Sequence, residues 1–301
     1  MSKPNIALIG MGLIGSSLGH ALKKNNLAAR VSGYARSPET RARALDIGFV
    51  DSVHDTAIEA CADADIVFFN TPLSAIKGLA EEIIPTLKDN VILTDVGSVK
   101  KGVIDELTPL LGGRVHLVPG HPIAGTEESG PDSGFAELFD GRWCILTPSG
   151  ETSLIAVEQI AKLWRDMGSE VEFMEAEHHD LVLAITSHLP HLIAYNIVGT
   201  ASQLESDTRS DVIKYSASGF RDFTRIASSD PIMWRDIFLQ NKDAVLEMLG
   251  RFSEDLTALQ RAIRRGDGEH LERIFTTTRA IRKSVVEAGQ DTDAPNFGRD
   301  K

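Results

Sequence analysis

The amino-acid sequence predicts an α/β protein in two parts: a doubly wound, mainly parallel sheet and then an all-helical part. Up to about residue 173, short apolar runs alternate with amphipathic helical stretches, the pattern of a sheet covered by helices on both faces. Beyond about residue 175, apolar residues recur only at helical spacing. The 301 residues suffice for two domains, which we place at residues 1–175 and 176–301.

Most of the strand candidates are continuously apolar, which indicates strands that are buried on both faces. They lie at residues 6–9, 31–34, 66–69, 91–96, 115–118, 143–146 and 171–173. The intervening helices have recognisable boundaries. One begins at Ser37, a residue type that caps helices, and continues with Pro38 and Glu39.

The composition excludes several classes of protein. With 42% hydrophobic and 25% charged residues, the chain is not wholly disordered. A formal net charge of −12 argues against nucleic acid or an anionic membrane as the main partner. There is no run of about 18 apolar residues and no signal peptide, and the two cysteines lack metal-ligand spacing. We therefore expect a cytoplasmic protein without a disulfide framework.

A glycine motif follows the first strand and opens a helix predicted at residues 13–24. In this strand–turn–helix context GxGxxG is typical of a Rossmann-type dinucleotide site, although a glycine-rich turn without a ligand is the alternative. The first glycine permits the tight turn, the second lets the backbone approach a pyrophosphate, and the third lets helix pack on strand. The predicted cofactor-binding residues are Gly10, Gly12, Leu13, Ile14 and Gly15.

The end of the second strand bears on the choice between NAD and NADP. A carboxylate there binds the adenosine ribose of NAD, whereas an arginine accommodates the 2′-phosphate of NADP. Ala35, Arg36 and Ser37 occupy this place, so NADP is slightly favoured over NAD; the alternative is that Arg36 is simply solvated. Other cofactor contacts are predicted where the central strands end, at Asn70, Thr71, Pro72, Gly97 and Ser98.

Six of the nine histidines are clustered in the middle of the chain, as in either a metal site or a proton-transfer site. A metal site would use His178, His179, His188 and His191. This is the weaker interpretation, because no carboxylate or thiolate stands at ligand spacing and two adjacent histidines cannot share a helix face. Surface or helix-capping positions are expected for four histidines: His54, His178, His179 and His270.

His121 and Ser98 are the candidates for the chemistry. Each follows a predicted strand, so both are expected at the carboxyl edge of the sheet, near a bound nicotinamide. A histidine there suits the oxidation of an alcohol, because imidazole can accept the hydroxyl proton while hydride leaves for the nicotinamide. The alternative role of Ser98 is the N-cap of a helix at residues 99–111.

Five sequence blocks, in order, resemble the prephenate/arogenate (cyclohexadienyl) dehydrogenase family of tyrosine biosynthesis. They are residues 10–17 (GMGLIGSS), 95–100 (DVGSVK), 121–127 (HPIAGTE), 187–191 (SHLPH), and 219–227 (GFRDFTRIA) with 230–236 (DPIMWRD). The first block alone is common, but the ordered set is specific.

The resemblance implies oxidative decarboxylation of a cyclohexadiene that carries a ring carboxylate, a ring hydroxyl and a three-carbon side chain. Hydride passes to the cofactor, carbon dioxide leaves and the ring becomes aromatic, which gives 4-hydroxyphenylpyruvate from prephenate or tyrosine from arogenate. By this resemblance His121 helps to deprotonate the ring hydroxyl, and Ser98 positions it. Arg225 matches an arginine that binds a substrate carboxylate, a task suited to a planar guanidinium; the alternative is an ion pair with Asp222.

The resemblance also implies residues that contact the substrate or line and gate its pocket. These are Ser187, His188, His191, Thr126, Glu127 and Trp234. Pro190 is expected to kink the helix between the two histidines and aim them inward.

The C-terminal part is predicted to form helices at residues 176–204, 210–218, 230–264 and 267–288, with a frayed tail from residue 289. In the third helix an apolar seam recurs at spacings of three and four. It consists of Leu249, Phe252, Leu256, Leu259 and Ile263. Such a seam most often packs within one chain, but the family resemblance implies a homodimer through this part.

Two other functions remain open from the sequence. One is another two-domain reductase, of β-hydroxyacid dehydrogenase or imine reductase type; the other is a non-catalytic NADP(H)-sensing module. Prephenate and arogenate differ only in a keto or amino group on the side chain, and the sequence favours neither as the substrate.

Overall fold

The computed structural model describes residues 3–126, 128–203, 214 and 218–287. Its parallel strands are β1 (Asn5–Ile9), β2 (Arg30–Tyr34), β3 (Ser52–Val53), β4 (Ile66–Phe69), β5 (Ile92–Asp95) and β6 (His116–Leu117). They form one six-stranded sheet in the order β3-β2-β1-β4-β5-β6, which confirms the predicted doubly wound fold. The chain reverses direction across the sheet between β1 and β4, and ligands of such sheets bind there, beyond the carboxyl ends of the strands.

A second sheet, of three strands, follows the first. It consists of β7 (Gly120–Pro122), β8 (Trp143–Leu146) and β9 (Glu170–Phe173), so the last two predicted strands belong here and not to the parallel sheet. The sequence does not predict β7, because Gly-His-Pro contains no apolar run. β7 pairs antiparallel with β8, with His121 opposite Ile145. His121 therefore lies in a strand, where backbone pairing fixes its position.

Helices and the second sheet cover both faces of the parallel sheet. The helices are α1 (Leu13–Lys24), α2 (Pro38–Ile47), α3 (Ala57–Cys61), α4 (Leu73–Ile83), α5 (Lys101–Leu107) and α6 (Leu154–Asp166). Ile6 and Leu8 of β1 point into an apolar core shared with α1, α2 and α6. Ala7 and Ile9 point the other way, into a core shared with α3, α4 and α5. Because both faces of β1 are covered, Ile6 to Ile9 are all apolar and buried.

The C-terminal part is helical, as predicted. Its helices are α7 (Ala176–Leu183), α8 (Leu189–Ser202), α9 (Ser218–Thr224), α10 (Pro231–Gln240), α11 (Lys242–Arg265) and α12 (Gly268–Glu287). Nearly all of the helix predicted at residues 210–218, and the whole tail from residue 289, lie outside the described residues.

The helix predicted at residues 230–264 is two helices, because Asn241 ends α10. The amide nitrogen of the Asn241 side chain donates to the carbonyl oxygen of Asp180 at 2.8 Å and lies 3.0 Å from Nδ1 of His188. The break thus fastens α10 to the helix that carries the histidines.

A π turn at Ala184–His188 joins α7 to α8, and Pro190 lies in the first turn of α8. Proline has no N–H to donate to the preceding turn, and a wider turn accommodates this loss. The π turn also changes the direction of the side chains. At about 100° per residue, positions 179 and 191 of a regular helix would be about 120° apart, and the extra residue reduces this to about 20°. His179 and His191 therefore share one face.

The chain divides into two compact units, with the boundary after Val245. The first unit contains both sheets together with α7 to α10. The second contains α12 and the part of α11 from Leu246 onwards. Within the second unit several large apolar side chains are more than half exposed: Leu256, Ile263, Phe275 and Ile281.

One helical stretch of the described residues, Ala176–Ser202, is long and apolar enough to cross a membrane, with a mean hydropathy of 1.5. It carries three polar residues that are buried within the protein, His179, Asp180 and His188. Helices of soluble cores pass the same test of length and composition, so this stretch is weak support for a membrane span.

Candidate active site

Two oppositely charged residues are fully buried beneath the carboxyl end of β5. The ammonium of Lys100 lies 2.5 Å from Oδ2 of Asp95 and donates to the carbonyl oxygen of Gly120 at 2.6 Å. The Asp95 carboxylate also accepts the N–H groups of Gly97 and Gly120, at 2.8 and 3.3 Å. Buried charges are tolerated when they are paired and hydrogen-bonded. Here the pair joins the loop after β5 to the first residue of β7.

The N-terminus of α5 is capped from a distant part of the chain. Oδ1 of Asp180 accepts the N–H of Lys100 at 2.8 Å, and Oδ2 accepts the N–H of Lys101 at 3.0 Å. The alternative role of Ser98, as the cap of a helix from residue 99, is therefore wrong. Because the Ser98 hydroxyl makes no hydrogen bond to the rest of the described chain, it is available to a ligand.

His121 begins a buried chain of hydrogen bonds. Its Nδ1 lies 2.9 Å from Nε2 of His179, whose Nδ1 lies 2.8 Å from Oδ1 of Asp180. Since the Asp180 carboxylate is an acceptor, His179 donates from Nδ1 and accepts at Nε2. His121 must then donate from Nδ1, which leaves its lone pair on Nε2. The predicted surface or capping position of His179 is wrong: it is fully buried, whereas its neighbour His178 is exposed.

Burial keeps these histidines neutral. The pKa of His121 lies well below its ordinary value, chiefly because of burial. Electrostatic interactions with His179, the Lys100 ammonium and His188 lower it further. Burial also lowers the pKa of His188 to about 4, and it lowers that of His179 although the bond to Asp180 opposes the change. Near pH 7 His121 is therefore an unprotonated base.

Aromatic side chains continue the site toward α10. Trp234 stacks on His191 with ring centroids 3.6 Å apart, and it meets His188 edge-on at 6.1 Å. Its indole nitrogen is buried without a hydrogen-bond partner in the described chain. His188 in turn lies against the backbone of Ser98, and His191 donates from Nδ1 to the carbonyl oxygen of Ser187 at 2.8 Å. The helical part thus contacts the loop after β5.

Arg225 lies beside His191. Burial lowers the pKa of His191, and the guanidinium of Arg225 lowers it further. Arg225 is half-buried at the start of a short 3₁₀ turn, Arg225–Ser228. Asp222 was the alternative ion-pair partner expected for Arg225. Its Oδ1 lies 3.3 Å from Nε of Arg221.

The structure brings six of the predicted residues into one group: His121, Ser98, His188, Trp234, His191 and Arg225. Ser187 is half-buried at its edge and contributes a carbonyl oxygen. Thr126 is exposed, and its hydroxyl accepts the N–H of Glu128 at 3.2 Å in a local turn. Glu127 lies outside the described residues.

The glycine motif fits a dinucleotide. Gly10 has a φ of +100°, and a Cβ there would lie 2.5 Å from the carbonyl oxygen of Asn70. At Gly15 a Cβ would lie 2.2 Å from the carbonyl oxygen of Gly10, whereas at Gly12 it would meet nothing within 4 Å. The second glycine therefore opens the N-terminus of α1 to a pyrophosphate, while the other two are packed against protein. Leu13 and Ile14 pack against the core.

Buried polar atoms beside the motif also point to a ligand. Oδ1 of Asn70 and Oγ1 of Thr71, directly after β4, are buried without a hydrogen-bond partner in the described chain. Pro72 follows as the N-cap of α4. Gly97 packs against the next residue, Leu73. A Cβ at Gly97 would lie 2.5 Å from Cδ2 of Leu73. Such orphaned groups are normally satisfied by a bound molecule or water.

The three predicted residues after β2 have different surroundings. The Ser37 hydroxyl accepts the N–H of Thr40 at 3.2 Å, which caps α2, and donates to Glu39 at 2.6 Å. Ala35 packs against the core. Arg36 is exposed and bonds to no other described side chain. Of the three, Arg36 has the side chain that is free to meet a ligand.

Residues 3–126, 128–203, 214 and 218–287 contain no group of three or more histidine, cysteine or acidic side chains placed to hold a metal ion. Four of the clustered histidines, His121, His179, His188 and His191, instead bond to one another, to Asp180, to Asn241 or to the Ser187 carbonyl.

Sequence reasoning assigned no role to Lys100, Asp180 or Asn241. Lys100 could have been noticed, because it is a charged residue inside a block that also carries a candidate serine. Asp180 and Asn241 leave no comparable signal, since polar residues in helices are usually solvated.

Known proteins resemble this chain over nearly its whole length. A family model for the nucleotide-binding domain of prephenate dehydrogenase matches residues 18–173, and one for its dimerization domain matches residues 175–277. The cyclohexadienyl dehydrogenase of Zymomonas mobilis is 45% identical over 283 residues, 93% of this chain and 96% of the relative. The prephenate dehydrogenase of Bacillus subtilis is 36% identical over 284 residues, 94% of this chain and 76% of the relative.

A solved structure is similar as well. It is prephenate dehydrogenase from A. aeolicus in complex with hydroxyphenyl propionate and NAD+. It has 34% sequence identity and a TM-score of 0.89, and the match covers 95% of this chain and 99% of that one.

Two glycine variants should separate ligand binding from packing. Gly12→Ala places a methyl group in the open space beside α1, where the pyrophosphate would bind. Dinucleotide affinity should therefore fall about tenfold or more. The free energy of unfolding should stay within about 0.5 kcal/mol of the wild-type value. Gly15→Ala places it against the Gly10 carbonyl, so unfolding should become easier by about 1–3 kcal/mol. Calorimetric titration and urea unfolding measure the two effects. Unchanged affinity in Gly12→Ala would remove the pyrophosphate from this turn.

Proposed function

Because the chain belongs to the prephenate dehydrogenase family, we propose that a single site oxidises the ring hydroxyl of both prephenate and arogenate. The family reaction is NAD(P)-dependent oxidative decarboxylation in tyrosine biosynthesis. The similarity to a cyclohexadienyl dehydrogenase supports acceptance of both substrates. The alternatives, another two-domain reductase and a nucleotide-sensing module, are not favoured, because both matching family models are those of prephenate dehydrogenase.

The observation that carries this proposal is the buried chain from His121 through His179 to Asp180. It leaves the lone pair of His121 on Nε2, the atom that would accept the proton of the ring hydroxyl. As His121 becomes positive, its Nδ1–H bond to His179 strengthens, and the Asp180 carboxylate lies at the far end of the chain to stabilise the charge. The Ser98 hydroxyl, which bonds to no other described residue, would orient the substrate hydroxyl.

Binding of the anionic substrate is assigned to Arg225 and Trp234. A guanidinium can hold a carboxylate through two parallel N–H donors, and Arg225 lies next to His191. The indole N–H of Trp234 is buried and has no partner in the described chain, so it can donate to the substrate as well. Decarboxylation needs little further help, because the gain of aromaticity drives it. The protein mainly orients the ring.

The nicotinamide cofactor supplies the hydride acceptor. The N-terminus of α1 at Gly12 would hold its pyrophosphate, and Asn70 and Thr71 would contact it beyond β4. We assign a preference for NADP over NAD, because the end of β2 offers Arg36 and no carboxylate at Ala35. A second arginine, Arg41, donates to the carbonyl oxygens of both residues and pairs with Asp55 at 2.7 Å.

The helical part is proposed to form a homodimer, with a domain boundary near residue 175. The apolar seam of α11 and the side chains of α12 support this, since Leu256, Ile263 and Phe275 are each more than half exposed in the single chain. Exposed apolar rows of this kind are usually covered by another chain. We also propose a cytoplasmic location, which the two buried, unpaired cysteines, Cys61 and Cys144, support.

Removal of the proposed base should reduce turnover. In His121→Asn we expect kcat to fall by about 10²–10⁴-fold, with a much smaller change in KM, because the proton acceptor is lost while the anion site remains. Steady-state kinetics measure both constants. His178→Asn, which alters an exposed neighbour of the same hydrogen-bonded chain, should keep kcat within about twofold. Near-normal turnover in His121→Asn would contradict the assignment.

Removal of the proposed anion contact should instead weaken binding. In Arg225→Ala we expect KM to rise about 10–100-fold, the loss of one charge-assisted pair, with a smaller effect on kcat. The exposed Arg221, one turn earlier, is the matched control, and Arg221→Ala should leave KM unchanged. If KM is also unchanged in Arg225→Ala, the substrate carboxylate binds elsewhere.

Cofactor and substrate preference can be read from one set of initial rates, with both substrates and both cofactors. We expect activity with prephenate and arogenate, and a higher kcat/KM for NADP+ than for NAD+. Arg36→Ala should lower kcat/KM for NADP+ about tenfold or more and spare NAD+, because only the 2′-phosphate needs the charge. Arg43→Ala, an exposed arginine on α2, is the control. Equal losses with both cofactors would argue against a 2′-phosphate site.

A further inference from the structure

The buried pair of Lys100 and Asp95 lies between the two residues assigned to the chemistry. Ser98 is in the loop between Asp95 and Lys100, and His121 directly follows Gly120, whose carbonyl oxygen accepts from the Lys100 ammonium at 2.6 Å. The Asp95 carboxylate binds the N–H of Gly97 on one side and that of Gly120 on the other. The pair therefore holds both segments at once.

We propose that Lys100 is a positioning residue of the dehydrogenase, which sets the place of Ser98 relative to His121 through its ion pair with Asp95 and its bond to Gly120. This inference rests on the roles proposed above for Ser98 and His121. Lys100 does not touch the substrate in this scheme. It acts through the two loops that it joins.

Two features of Lys100 favour this role over a purely structural one. Its side chain is fully buried, although a lysine has a high cost of burial that an apolar residue would avoid. Its neighbour Lys101 extends into solvent and pairs with Asp105 at 2.9 Å, so burial at position 100 is not imposed by the start of α5.

The charge of Lys100 also affects the pKa of His121, the proposed base. Desolvation, the neighbouring His179 and His188, and the Lys100 ammonium all lower the pKa of His121. Asp95 and Asp180 carry negative charge within the same network. Loss of the ammonium alone should therefore raise the pKa of His121, and the acid limb of the pH profile of kcat should move to higher pH.

The test compares Lys100→Met with Lys101→Met in the full chain. In Lys100→Met we expect kcat to fall about 10–100-fold, as for a misplaced catalytic group, and the acid limb to move to higher pH. Dinucleotide affinity by calorimetric titration and substrate KM should change less than about threefold. Lys101→Met should match the wild type in every measurement. Circular dichroism and thermal unfolding establish that the variants are folded.

If Lys100→Met does not fold, the double variant Asp95→Asn/Lys100→Met replaces it, because removal of both charges leaves no unpaired ion in the core. It should fold and bind the dinucleotide but show the same loss of kcat. If Lys100 were purely structural, its replacement would lower the unfolding temperature but leave kcat and the pH profile of the folded protein unchanged. This result would overturn the proposal.

His121→Asn is measured in the same experiment. Normal turnover there would contradict the proposed base, whereas a loss there with normal turnover in Lys100→Met would contradict this inference alone.

Discussion

The buried ion pair between Lys100 and Asp95 is the constraint on which the site depends. A parallel sheet brings the ends of its strands to one edge, but it leaves the loops beyond that edge free to take many conformations. Here one ammonium and one carboxylate, both shielded from water, join the loop after β5 to the start of β7. The second sheet adds to this by pairing His121 with Ile145. The proposed serine and histidine are thus fixed relative to each other before any ligand binds.

The helical part completes the site through polar side chains that hydrogen-bond to helices at the edge of the parallel sheet. Asp180 caps the start of α5 and also holds His179, and Oδ2 of Asp236 accepts an N–H at the start of α4, from Ser74, at 3.4 Å. Both helices begin at the carboxyl edge of the sheet, where their N–H groups lack partners within the helix. Carboxylates from the helical part satisfy these groups, and both contacts lie within one compact unit of the chain.

The same burial that orders the site sets its chemistry. Histidines in a dry environment stay neutral, and a chain of neutral imidazoles that ends in a carboxylate gives each ring one defined tautomer. His121 therefore offers a lone pair on the side away from His179. In the proposed reaction, a positive charge on His121 would be stabilised along the chain by a preorganised carboxylate and not by reordered water.

The sequence by itself determined the fold class, the dinucleotide turn and the candidate residues of the site, because these leave local signals: apolar runs, GxGxxG after a strand, and blocks such as DVGSVK. Only the tertiary structure decided that His179 supports His121, that Asn241 binds His188 and that Lys100 holds Gly120. The partners in these three contacts are 58, 53 and 20 residues apart. Hydrogen bonds between distant residues produce no periodicity in the sequence. The sequence also does not distinguish a buried polar residue from a solvated one. The strand that carries His121 could not be predicted from the sequence either, because it forms through pairing with β8 and not through any strand propensity of its own residues.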